Sequence, residues 1–231
     1  MSSEYTEVVV AVDFECLRQN MWSTFAVVVI GVRSSEERLD MLWCFSVGQK
    51  EEQLKFQSKQ TKDQTSAFWH KHRHAYEYNR IVNLMSDRKR AEISIVSNID
   101  FIRNKWTNFK MICDNPAMDI RLLDNILIAH GTSPISIRPP DNKYLQVICS
   151  WSYRLAVSSI LNLSKSRIRD ESYRMAADFF GSSILHDPAL PHTPVYDCVL
   201  ILCNYIYVTR CIKKCEKLEG RRAVPHQMRI H

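Results

Sequence analysis

The stretch Val8-Val9-Val10-Ala11-Val12-Asp13-Phe14-Glu15 decides how the rest of the chain is read. Five consecutive apolar residues are too few for an ordinary helix, and they read as a strand buried on both faces. Side chains alternate along a strand, so Asp13 and Glu15 share one face and converge at its end. Two carboxylates held side by side at the edge of a core repel each other unless a cation sits between them. A divalent metal ion is the usual solution. Taken alone, an Asp-x-Glu also reads as the point where a strand surfaces.

Two more apolar segments follow. Thr24 to Val32 is nearly continuous and β-branched, and reads as a second central strand. In the next, Leu39, Met41, Trp43, Phe45 and Val47 alternate with more polar positions, which predicts a third strand with a wetter side. Short polar connections between them predict an antiparallel meander. Gly48 to Gln64 is charged and glutamine-rich, and is expected to be a mobile connection.

Downstream the pattern is helical with short strands. A helix is expected from Ser66, carrying Trp69 and the basic run His70-Lys71-His72-Arg73-His74. His70 and His74 have i, i+4 spacing, but no acid lies nearby in sequence, so a basic solvated face is the better reading. Trp69 reads either as core filler or as a base-stacking surface beside those cations. A helix over Arg88 to Asn104 leads to a strand at Phe109 to Cys113, and Pro116 then opens a helix with Asp119 in its first turn. A strand is expected within Tyr144 to Cys149. Helices are expected over Trp151 to Leu163 and Asp170 to Phe180, with a basic turn between them at Lys165-Ser166-Arg167. Thr193-Pro194 is a good helix start, and that helix is expected to run to about Leu218. Asp197 lies in its first turn. Inside one continuous helix, His192 and Asp197 would diverge by about 140°. With His192 on the incoming loop, both can serve one pocket.

Composition constrains the class. The 231 residues suffice for one α/β domain, expected over 1–218, with a basic tail over 219–231 expected to be disordered. Apolar content of 45% and charged content of 24% are those of an ordinary globular protein. The net charge of +6 mildly favours a polyanionic partner. With neither a signal-peptide pattern nor a run of about 18 apolar residues, the expectation is a soluble, intracellular protein (cytoplasmic or nuclear) without a membrane partner. Cys211 and Cys215 share a helix face, but no second pair at zinc spacing completes a site, so buried thiols are the better reading.

The acids and the histidine occur in the order Asp13-x-Glu15, Asn115-x3-Asp119 and His192-x4-Asp197. The first pair ends a buried strand and the others open helices. This ordered pattern resembles the DEDDh family of 3′–5′ exonucleases, closest in style to small stand-alone phage and bacterial members. The resemblance implies an RNase H-like α/β fold: a mixed sheet, with a three-stranded antiparallel meander plus short parallel strands, flanked by helices. It also implies that Asp13, Glu15, Asp119 and Asp197 hold two Mg²⁺ or Mn²⁺ ions and that His192 is the general base. Phe14, Asn115 and Trp69 become the candidate substrate contacts. Two departures bear on substrate handling: Met118 stands where the family commonly has an aromatic, and His72 where a glutamine is frequent.

The chemistry suits these residue types in its own right. Phosphodiester hydrolysis needs an activated water and stabilisation of a leaving oxygen, which two divalent ions supply. Such ions prefer oxygen ligands, and an imidazole titrates near neutral pH. The expected function is therefore hydrolysis at the 3′ end of single-stranded RNA or DNA. A non-catalytic nucleic-acid-binding module on the same fold is the alternative. By analogy with the family, a homodimer and a polymerase partner in trans both stay open.

Overall fold

A computed structural model describes residues 7–16, 24–34, 39–49, 67–75, 85–86, 88–106, 109–136, 146–181 and 192–222. Six strands form one sheet: β1 (Glu7–Cys16), β2 (Thr24–Ser34), β3 (Leu39–Gln49), β4 (Met85–Ser86), β5 (Lys110–Cys113) and β6 (Gln146–Cys149), in the spatial order β4-β3-β2-β1-β5-β6. Five helices are α1 (Arg88–Lys105), α2 (Pro116–Ala129), α3 (Ser150–Ile160), α4 (Lys165–Phe180) and α5 (Pro194–Arg222). A shorter helical segment covers 67–75.

The expected fold class needs correction. The sequence predicts an RNase H-like mixed sheet led by an antiparallel meander. The described chain is instead mostly helical, and the strands that carry the core and the site, β1, β5 and β6, form an all-parallel trio. Along the other edge of β1, the backbones of β2 and β3 pair in antiparallel register, Val12 opposite Val29 and Val29 opposite Phe45. The physical reason for the shift in weight is the crossover. Parallel strands cannot be joined by tight turns, so each link costs a helix-length excursion. Here α1 precedes β5 and α2 lies between β5 and β6.

β1 is the axis of the core, and its two faces pack against different layers. Val10, Val12 and Phe14 join Met111 and the apolar stripes of α1 (Ala91, Ile95, Ile99, Ile102) and α2 (Ile120, Leu123, Leu127). Val9 and Ala11 face α5, where Cys198, Val199, Leu202 and Ile206 are buried. Both faces are thus dry, as a continuous valine run requires. The same alternation carries Asp13 and Glu15 onto the α5 side of the sheet. Among the described residues, α5 is the one helix long and apolar enough by composition to cross a membrane, over Val195–Lys217, and half of its apolar 18-residue window is buried inside the protein, as in a core helix.

Several boundaries moved. The basic stretch Lys165-Ser166-Arg167 is the first turn of α4 rather than a connecting turn, because the Ser164 side chain caps the helix by accepting the Arg167 backbone N–H at 3.2 Å. α5 continues past Leu218 to Arg222. Strand β4, absent from the sequence reading, adds two residues parallel to β3. Gly48 and Gln49, expected to open a mobile connection, instead end β3; the rest of that connection, the wetter face expected of β3 and the tail beyond Arg222 lie outside the described residues. One buried acid ties down a loop: Asp124 on α2 accepts the backbone N–H groups of Ile135 and Ser136, the latter at 3.2 Å.

The α4 boundary is directly testable. Ser164→Ala removes the cap and should lower stability by about 1 kcal/mol. That corresponds to roughly 2–4 °C in Tm for a chain of this size. An unchanged Tm in a thermal denaturation series would return 165–167 to an uncapped turn.

Candidate metal centre

Three elements deliver carboxylates to one place. β1 brings Asp13 and Glu15 at its carboxyl end. Pro116 starts α2 immediately beyond β5, so the first turn of that helix holds Asp119 over the same end of the sheet. Thr193-Pro194 starts α5 in the same way and puts Asp197 in its first turn, with the Asp197 N–H bonded to the Thr193 carbonyl at 3.0 Å. An acid in a first helical turn is favoured by the helix dipole, which eases the cost of placing two such acids near a third and fourth.

The acids are close enough to raise one another's pKa values. Asp13 is held well above the ordinary carboxylate range, first by burial and then by the charges of Glu15, Asp197, Asp119 and Asp114. Glu15 is raised by burial and by Asp197 and Asp119. Asp119, only 1% exposed, is pushed up to about 7 by burial. The backbones of Asn115 and Phe14 oppose that shift by hydrogen bonding, Asn115 N–H reaching Oδ2 at 3.2 Å. Asp197 also rises to about 7, through burial and then Asp114, against a hydrogen bond from the His192 backbone. Among the described residues, no cation figures among the charges acting on Asp13, Glu15, Asp119 or Asp197.

Two carboxylate oxygens in this group, Asp13 Oδ2 and Asp119 Oδ1, are buried without a hydrogen-bond partner among the described residues. Buried acceptors are nearly always satisfied, so two such orphans in one cluster of acids mark a place where something else binds. One ligand atom each from Glu15, His192 and Asp197 lies within 4.8 Å of the others. An oxygen-rich donor set with unfilled acceptors and surplus negative charge fits a hard divalent cation.

His192 stands outside α5 with φ of 66°, in the left-handed region. For a residue other than glycine this conformation is strained, by about 1 kcal/mol or more. It lets the loop turn the imidazole back toward Glu15 and Asp197, which a helical residue could not do. The ring packs edge-on against His72 at 4.1 Å and Phe68 at 5.1 Å between centroids. Burial, and then His72 and Lys71, depress its pKa. The neutral imidazole is favoured, as a base requires.

The three candidate substrate contacts fare differently. Phe14 is 2% exposed because it points to the opposite face from Asp13 and Glu15, so only its backbone reaches the site. Asn115 is exposed, and as the residue before α2 it makes no side-chain cap bond. Trp69 is turned inward at 6% exposure, whereas Phe68 on the same segment is 39% exposed and leans on His192. Phe68 and His72 share a helical face at i, i+4; that spacing was the available signal for both. His70 and His74 are exposed.

Asp114 was passed over. It acts on Asp13, Asp119 and Asp197, and accepts a hydrogen bond from the buried Ser150 hydroxyl at the start of α3. In sequence it was visible only as the residue between a strand end and a proline-started helix.

No protein-family model matches this sequence, and no curated protein matches it.

The pKa values set a sign for stability. A carboxyl raised in the folded protein favours folding most below its unfolded pKa near 4, and that contribution is lost as pH rises through the folded value. Metal-free protein should therefore lose stability between about pH 4 and 7 through Asp119 and Asp197. Mn²⁺ should restore it at pH 8. Asp13→Asn should raise the Tm in EDTA at pH 8 and shrink the Mn²⁺ response. Thermal unfolding at pH 5 and pH 8, with and without metal, checks all three, and a variant less stable than wild type in EDTA would refute the repulsion.

Proposed function

We propose that this protein is a divalent-metal-dependent 3′–5′ exonuclease of the DEDDh type, acting on single-stranded nucleic acid. The observation that carries the reading is the convergence of Asp13, Glu15, Asp119 and Asp197 with two buried, unpartnered carboxylate oxygens beside a neutral-leaning histidine.

Asp13, Glu15, Asp119 and Asp197 are the residues that would hold Mg²⁺ or Mn²⁺. When bound, such ions lower the pKa of a water and stabilise charge on a leaving oxygen. His192 takes the proton from the attacking water. Its strained backbone and its contacts with Phe68 and His72 hold the ring over the carboxylates. Asp119 and Asp197, with values near 7, lose their remaining protons once a cation supplies the balancing charge. Phe68 offers an exposed aromatic surface against His192 and suits a terminal base. The chain's net charge of +6 favours approach of a polyanion despite the acidic pocket.

The test uses 5′-labelled RNA and DNA oligonucleotides of one sequence with Mn²⁺ or EDTA. Wild type should give a ladder shortening from the 3′ end, absent in EDTA and with Asp13→Ala. His192→Ala should slow cleavage by about 10²- to 10⁴-fold, the usual contribution of a general base. Intact but bound oligonucleotides in every lane would leave the alternative, a non-catalytic binding module.

A further inference from the structure

A second exposed aromatic, Trp151, stands next in sequence to a residue that touches the acidic cluster. Trp151 is in the first turn of α3, directly after Ser150, whose hydroxyl donates to Asp114. It is 48% exposed. Arg154, one turn further along α3, holds its guanidinium carbon 4.5 Å from the indole centroid. The Lys165 ammonium, from the first turn of α4, lies 5.9 Å from the same ring. That turn also holds exposed Arg167 and no acid. Cations at a helix N-terminus oppose the helix dipole, so this arrangement is unfavourable for the helix alone. An anion over Lys165 and Arg167 would relieve it.

We infer that Trp151, Arg154 and Lys165 form a stacking and phosphate-binding platform for the nucleic-acid strand, one or more nucleotides upstream of the end held at the carboxylates. The inference rests on the nuclease reading for its direction along the strand, though not for the binding itself. An indole stacks any base through its π-face, and a neighbouring guanidinium and ammonium neutralise the adjoining phosphates. Phe68, beside His192, and Trp151, next to the Ser150 that bonds Asp114, then offer two aromatic surfaces for the strand, one from the 67–75 segment and one from α3. The acids are unsuited to hold a phosphodiester backbone without metal, so the affinity for strand must come from such surfaces.

The experiment is fluorescence anisotropy with a labelled twelve-nucleotide single strand in EDTA. It compares wild type, Trp151→Ala and Trp151→Phe, each checked for folding by thermal denaturation. Trp151→Ala should weaken binding by about 5- to 100-fold, the range for loss of one stacked base, and Trp151→Phe should retain most of the affinity. Lys165→Gln gives a second reading: the slope of log Kd against log salt should fall by about one. Binding by Trp151→Ala within twofold of wild type, equal losses for Ala and Phe, or an unchanged salt slope would overturn the platform. Strand binding that depends on Trp151, without any Mn²⁺-dependent cleavage, would sustain the platform and sink the exonuclease. Cleavage by wild type with affinity indifferent to Trp151 would do the reverse.

Discussion

Repulsion among carboxylates packed at the carboxyl end of β1 is the constraint on which this structure turns. Four acids from three elements share a desolvated pocket, and among the described residues no cation acts on them. Left to themselves they would separate or protonate: burial and then the neighbouring acids hold Asp13 and Glu15 above the carboxylate range, and burial and then Asp114 push Asp119 and Asp197 up to about 7. They stay together because their backbones are held by packing that has nothing to do with charge. β1 is dry on both faces, α2 is pinned through Ile120, Leu123 and Leu127, and α5 through Val199, Leu202 and Ile206. A bound cation would convert the strained arrangement into a favourable one, which is the general logic of a preformed metal site.

His192 shows a second use of stored strain. Its left-handed backbone would be avoided in an ordinary loop, and here it redirects the imidazole from solvent to the acids. Phe68 and His72 close over it from the 67–75 segment. The histidine is held by aromatic contacts and a turn, with its ring within 4.8 Å of a carboxylate oxygen of Glu15 and of Asp197. Its depressed pKa follows from burial and from positive neighbours.

Much of this was legible in residue order, and the failures have physical causes. The valine run predicts a strand buried on both faces, and β1 is one. Pro116 and Thr193-Pro194 mark helix starts, because proline fits a first turn, and both helices begin there. The weight of helix against sheet was misjudged, since the first fifty residues carry the clearest strand patterns and later strands are only four residues long. Trp69 reads from the sequence either as core filler or as a stacking surface; helical phase turns it inward and leaves Phe68 outside. Asp114 was missed because its influence acts through space on Asp13, Asp119 and Asp197.

The sequence by itself determined the alternation that puts Asp13 and Glu15 on one face, the helix starts that put Asp119 and Asp197 in first turns, and the position of His192 outside α5. These are local consequences of strand period, proline geometry and capping. Only the tertiary structure decided that the three segments meet, that Asp13 and Asp119 keep oxygens without partners, and which aromatics face the site. Convergence depends on the sheet order that places β5 beside β1 and on the two helical layers packed against it, and no short stretch of residues encodes either.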